Sequence, residues 1–132
     1  MQNQELNPRS GSSILVVDDD DGIRNLFQDV LETAGYSVRL ASDGEQALRI
    51  LRTAFDVALV ITDLVMPNKE GIETIRELRK NHPAVKIIAM SGSFASELDA
   101  LRYLGADVVL PKPVMPETLE LAVAQALAHA PC

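Results

Sequence analysis

Four consecutive acids, Asp18-Asp19-Asp20-Asp21, follow directly on the aliphatic run Ile14-Leu15-Val16-Val17. A lone acid, Asp63, closes a second apolar run, Val57-Ala58-Leu59-Val60-Ile61-Thr62. If neighbouring strands deliver these carboxylates to one place, they repel: two of them about 5 Å apart at an effective dielectric of about 20 cost roughly 3 kcal/mol. Such a group needs a cation, and an all-oxygen set with room for water suits Mg²⁺. Two more polar residues end apolar runs in the same way, Ser91 and Lys112. A serine hydroxyl donates to a phosphoryl oxygen, and a lysine pairs with carboxylate or phosphate as a point charge. Asp18 and Asp19 then read as ligands of the metal, directly or through water. Asp63 reads as the nucleophile whose acyl phosphate the metal neutralises. The implied chemistry is metal-assisted phosphoryl transfer.

Convergence of these residues requires a particular scaffold. A buried parallel strand reads as a continuous aliphatic run, and ligands of open α/β sheets gather beyond the carboxyl ends of the strands. From residue 13 the chain alternates strand and helix five times. Strands are expected at 13–17, 36–41, 57–62, 85–90 and 107–110. The first helix carries Ile23, Leu26, Phe27, Val30, Leu31 and Ala34 at the spacing of one buried stripe and stops at Gly35. Asp43-Gly44 opens a second helix with Ala47, Leu48 and Leu51 inward. A third carries Ile72, Ile75 and Leu78 and is stopped by Asn81, His82 and Pro83. A fourth is expected over 95–104, ending at Gly105, and a last over 116–129 with Pro116 in its first turn. Pro111 and Pro113 suit an edge strand. Asp20 is placed either to cap the first helix or to add to the metal's outer shell, and Asp21 to favour the helix N-terminus. Met66, Met90 and Met115 read as core fillers. Five such units predict an α/β fold: a three-layer α/β/α doubly wound sheet of five parallel strands with five helices.

Bulk properties narrow the partners. The chain has 132 residues, enough for one domain with its own core, and a formal net charge of −7. That charge argues against direct nucleic acid binding or adhesion to an anionic membrane. No apolar run reaches the roughly 20 residues of a spanning helix, so no membrane insertion is expected and a cytoplasmic location is. The single cysteine, Cys132, leaves no internal disulfide or cysteine metal site. Residues 1–12 read as a disordered tail, 13–129 as one domain and 130–132 as a C-terminal tail too short to be a linker. A calcium loop built around Gly22 fails, since its first position falls on Val17 and its twelfth on Gln28. Neither a Gly-x-x-x-x-Gly-Lys-Ser/Thr loop nor a Gly-x-Gly-x-x-Gly turn after a strand occurs in the sequence.

Five motifs in order, Val16-Val17-Asp18-Asp19-Asp20, Thr62-Asp63-Leu64-Val65-Met66-Pro67 with Gly71, Ala89-Met90-Ser91-Gly92, Gly105-Ala106-Asp107 and Lys112-Pro113, resemble those of receiver domains of bacterial two-component response regulators. The resemblance spans about residues 13–129. It implies the flavodoxin-like strand order 2-1-3-4-5. It implies that Asp63 accepts a phosphoryl group from a phosphohistidine on a sensor histidine kinase or phosphotransfer protein. It further implies Mg²⁺ held by Asp19, Asp63 and the backbone carbonyl of Val65, with Asp18 mainly through water, and a cis bond between Lys112 and Pro113. The domain itself would promote its phosphorylation and slow hydrolysis, with water entering past Val65 and Ser93. It would act on an unidentified downstream protein through the face of the fourth helix, fifth strand and last helix.

The chain departs from the family at the switch. Val109 stands where the family carries an inward-turning aromatic, and Val114 stands where Phe is usual. Output is then expected through the loop 92–95 and the fourth helix. Two other functions compete. The run Asp18-Asp19-Asp20 also resembles the opening of haloacid-dehalogenase-type phosphatases, with Asp18 as nucleophile and Asp20 as general acid, but no acidic pair follows Lys112 and Asp63 would have no role. A docking module independent of phosphorylation is the third. Both a stand-alone receiver and a receiver within a hybrid kinase or longer regulator fit the sequence.

Overall fold

The structure, a computed structural model describing residues 12–63, 70–92 and 105–128, gathers the apolar runs into one sheet. Its elements are β1 Ser13–Val17, α1 Asp21–Thr33, β2 Ser37–Ala41, α2 Gly44–Thr53, β3 Val57–Asp63, α3 Glu70–Asn81, β4 Lys86–Ser91, β5 Val108–Pro111 and α4 Pro116–Ala128. The strand order is β2-β1-β3-β4-β5, and every neighbouring pair is parallel. The chain winds one way from β1 to β2 and the other way from β3 onward. The switch therefore lies between β1 and β3, where a crevice opens beyond the strand ends.

Strand alternation divides the core into two layers. Leu15, Val17, Val60, Ile87 and Ala89 face α2 and α3, meeting Ala47, Leu51, Ile75 and Leu78. Ile14, Val16, Leu59, Ile61, Ile88 and Met90 face α1 and α4, meeting Phe27, Leu31, Leu119 and Val123. In β3 the parity breaks once. Val57 shares a face with Val60 rather than with Leu59, because Ser13 pairs with Val57 while Ile14 pairs with Leu59. Ala58 is the extra residue, and such a bulge switches the strand's faces.

Helix ends are set locally. The Asp20 carboxylate accepts from the Gly22 and Ile23 amides, and Asp43 accepts from Gln46. Gly35 leaves α1 at φ 103°, while Tyr36 N–H donates to the Leu31 carbonyl, the αL ending that glycine adopts without Cβ strain.

Several sequence expectations are revised. Leu26 is 44% exposed although it lies on the predicted stripe, so Phe27 and Leu31 carry the contact. Met90 is buried as expected, but Met115 is exposed, in the stretch between the Lys112–Pro113 bond and α4. Tyr36 lies between α1 and β2, its N–H closing the helix end rather than opening the strand, and β4 runs from Lys86 to Ser91. The Lys112–Pro113 bond is cis. Four helices stand among the described residues. The expected helix over 95–104, the residues Val65, Met66 and Ser93, residues 1–11 of the expected N-terminal tail, residue 129 of the expected last helix and the C-terminal tail 130–132 lie outside them. No helix among the described residues is long and apolar enough to cross a membrane.

Candidate functional site

Asp18 and Asp19 leave β1 and Asp63 ends β3, on either side of the switch crevice. One carboxylate oxygen from each of the three lies within 4.8 Å of the others. Asp18 and Asp63 are buried and Asp19 is exposed, so the cup has two fixed walls and an open rim.

Asp18 is held at three atoms. Its N–H donates to the Ala41 carbonyl at 3.1 Å, its Oδ1 accepts from the Asp20 N–H at 2.9 Å, and its backbone carbonyl accepts from Arg24 Nη1 at 2.6 Å. The other carboxylate oxygen, Oδ2, is buried with no hydrogen-bond partner. Burial, opposed by the Asp20 amide and reinforced by Asp63, pushes the Asp18 carboxyl up to about 6. A buried oxygen without a partner is costly, and three converging carboxylates repel. A divalent oxygen-preferring cation answers both, so Asp18, Asp19 and Asp63 fit Mg²⁺ as ligands. The fourth expected donor, the carbonyl of Val65, lies outside the described residues.

Lys112 reaches the cup from beyond β5. Its N–H donates to the Ser91 carbonyl at 2.9 Å, and its Nζ lies 2.8 Å from Asp63 Oδ2. Burial alone would lower the ammonium's pKa. The hydrogen bond and charge of Asp63, joined by Asp18 and Asp19, override it and hold Lys112 above its usual value. Ser91 ends β4, buried, one residue beyond the Met90 that pairs with Asp63. All five expected side-chain contributors thus meet at one edge of the sheet, joined from β1, β3, β4 and the β5 exit.

Arg24 was not singled out by sequence. Besides the Asp18 carbonyl it pairs with Asp21, three residues earlier on the first turn of α1. The i,i+3 spacing to an acid was the readable signal; the bond to a backbone carbonyl was not. Asp20, the alternative general acid, is committed as the α1 cap.

A family model of the response regulator receiver domain matches residues 14–124. The chain belongs to this receiver domain family. The receiver is 42% identical over 106 residues to the transcriptional regulatory protein CpxR of Klebsiella pneumoniae, covering 77% of this chain and 43% of that protein. It is 38% identical over 124 residues to the sensor kinase CckA of Brucella abortus, covering 89% of this chain and 13% of that one. Among solved structures it resembles a CheY-like receiver domain protein of Methanospirillum hungatei, with 30% identity, a TM-score of 0.82 and coverage of 89% and 94%. It also resembles the chemotaxis response regulator CheY4 of Vibrio cholerae, with 30% identity, a TM-score of 0.80 and coverage of 87% and 98%. The receiver spans less than half the length of the CpxR relatives.

Proposed function

We propose that this receiver accepts a phosphoryl group onto Asp63 from a phosphohistidine of a sensor histidine kinase or phosphotransfer protein, in a Mg²⁺-dependent reaction. The observation that carries the reading is the Asp18–Asp19–Asp63 cup with Lys112 Nζ at 2.8 Å from the Asp63 carboxylate. Asp63 is the acceptor because the other two acids have other duties. Asp18 Oδ1 is tied to the Asp20 amide, and Asp19 stands at the open rim. Mg²⁺, when bound, neutralises the carboxylates and the charge on the phosphoryl oxygens.

In the transfer an Asp63 oxygen bonds to phosphorus as the bond from phosphorus to the donor's imidazole nitrogen breaks. The Lys112 ammonium, already beside that carboxylate, balances the charge that the new phosphoryl group brings. Ser91 supplies a hydroxyl from the neighbouring strand end. The domain assists its own phosphorylation and dephosphorylation and carries no separate substrate chemistry. Signalling would follow from a shifted equilibrium at the face made by residues 93–104, β5 and α4, read by a downstream protein. Val109, packed among Leu15, Val17 and Ala89, supplies no ring to swing, so that output is assigned to the segment after Ser91.

Acetyl phosphate with Mg²⁺ tests the reading by intact-protein mass. The wild type should gain one phosphoryl group and Asp63→Asn none. Labelling that survives in Asp63→Asn and disappears in Asp18→Asn would favour the phosphatase-like chemistry instead. No labelling at all would favour a docking module.

A further inference from the structure

We infer that Arg24 is a positioning residue for the metal cup: it sets divalent-cation affinity through the Asp18 backbone, without touching the cation. This rests on the reading of the cup as a Mg²⁺ site. The turn 18–20 is short, and its ligand-bearing part is defined by few bonds. The Asp18 N–H is anchored to β2 through Ala41, and the first bond of α1 runs from the Arg24 N–H to the Asp20 carbonyl at 3.1 Å. Between those anchors lies the Asp18–Asp19 peptide, the unit whose rotation aims both carboxylates. Its carbonyl is held by Arg24 Nη1 at 2.6 Å.

The guanidinium is suited to this task. Its side chain is only 16% exposed, while its other partner, Asp21, is 83% exposed. The planar fork thus spans from a buried carbonyl to the solvent-facing acid, fixing the plane of the peptide against the first turn of the helix. The distal Oδ2 of Asp18 stays without a protein partner while Oδ1 is occupied. Groups that orient metal ligands from behind typically change affinity by about 10–100-fold when removed.

The sign of the effect separates this role from charge alone. Arg24 is a cation close to a cation site, so by Coulomb's law its removal should tighten Mg²⁺ binding. Positioning requires the reverse. Calorimetric titration with Mg²⁺ alone, on the full chain, should show Arg24→Met binding about tenfold more weakly than wild type. Arg24→Lys, which keeps the charge and one donor, should fall between them. Arg39→Met removes one positive charge from the exposed Arg39–Asp56 pair, so it should bind like wild type. Thermal melts in chelator establish that each variant is folded.

Rates with acetyl phosphate give a second readout: Arg24→Met should need more Mg²⁺ for half-maximal labelling yet approach the wild-type rate at saturation. Tighter or unchanged Mg²⁺ binding in folded Arg24→Met overturns the assignment, as does Arg24→Lys binding no better than Arg24→Met. A wild type that binds no Mg²⁺ would instead overturn the metal-site reading itself.

Discussion

Asp18 gives the sharpest quantitative handle on the site. Its carboxyl rises from 3.8 to about 6 in the metal-free fold because burial disfavours the charged form. A raised acid pKa means that ionised Asp18 opposes folding. The opposition is complete above pH 6, shrinks as pH falls toward 3.8 and vanishes below it. At 1.36 kcal/mol per pH unit of difference, it amounts to about 3 kcal/mol at pH 8 and roughly half that at pH 5. Asp18→Asn removes the titration while keeping the acceptor for the Asp20 amide. The asparagine NH₂ left in place of Oδ2 adds an offset, but that offset is the same at every pH. In chelator, the stability of the variant relative to wild type should therefore be greater at pH 8 than at pH 5 by about 1.5 kcal/mol. With a urea m-value of about 2 kcal/mol/M, that is a relative midpoint shift of about 0.7 M, readable by circular dichroism. Mg²⁺ should add more stability to wild type at pH 8 than at pH 5, since the ligand must be ionised, and far less to the variant. A variant-minus-wild-type difference that is flat between the two pH values would refute the claim that Asp18 is a desolvated carboxylate awaiting a cation.

The cation at the other end of the cup gives a second expectation. Lys112→Met should lower metal-free stability near neutrality by about 2 kcal/mol, the scale of a lost charge-assisted hydrogen bond. Because the Lys112 pKa is raised, the lysine's contribution is fully present below 10.5 and lost as pH climbs through its higher folded value. The gap between Lys112→Met and wild type in alkaline urea titrations should close only above that pH. Away from the site, Arg79 of α3 donates to the carbonyls of Pro83, Val85 and Gly105 and pairs with Asp107 at 2.9 Å. Arg79→Met should destabilise by about 3 kcal/mol in chemical denaturation while leaving the Mg²⁺ titration unchanged. Gly105→Ala should destabilise by about 1–3 kcal/mol, because Gly105 sits at φ 109° and a Cβ there would come within 3.1 Å of Arg79 Cγ and Nε. Part of that loss should disappear when Arg79 is already Met.

What could be read from sequence followed the physics of burial. A parallel strand covered on both faces must be aliphatic throughout, so the runs ending at Val17, Asp63 and Ser91 were visible, and with them the residues at their tips. The pairing of Lys112 with Asp63, 49 residues apart, followed once those tips shared an edge. Less was visible where backbone atoms are the partners. Arg24 bonds a carbonyl six residues back, and Arg79 gathers three carbonyls from the entries to β4 and β5; neither acceptor has a side-chain signature. The bulge at Ala58 lies inside an unbroken apolar run, where a change of parity leaves no trace in residue type. Leu26 satisfied helical periodicity yet is exposed, because the contact is narrower than the apolar stripe: Phe27 and Leu31 are buried, Ile23 and Val30 pack in part, and Leu26 lies at the edge.

Everything proposed for the site turns on which oxygen takes the phosphoryl group. Borohydride reduces an acyl phosphate to the corresponding alcohol, so an aspartyl phosphate is recorded as homoserine at its own position. The protein phosphorylated with acetyl phosphate and Mg²⁺, reduced and sequenced by tandem mass spectrometry, should carry homoserine at position 63 and at no other acid. Homoserine at 18, 19 or 20, or unmodified aspartate at 63 in protein that has gained a phosphoryl group, would contradict the account.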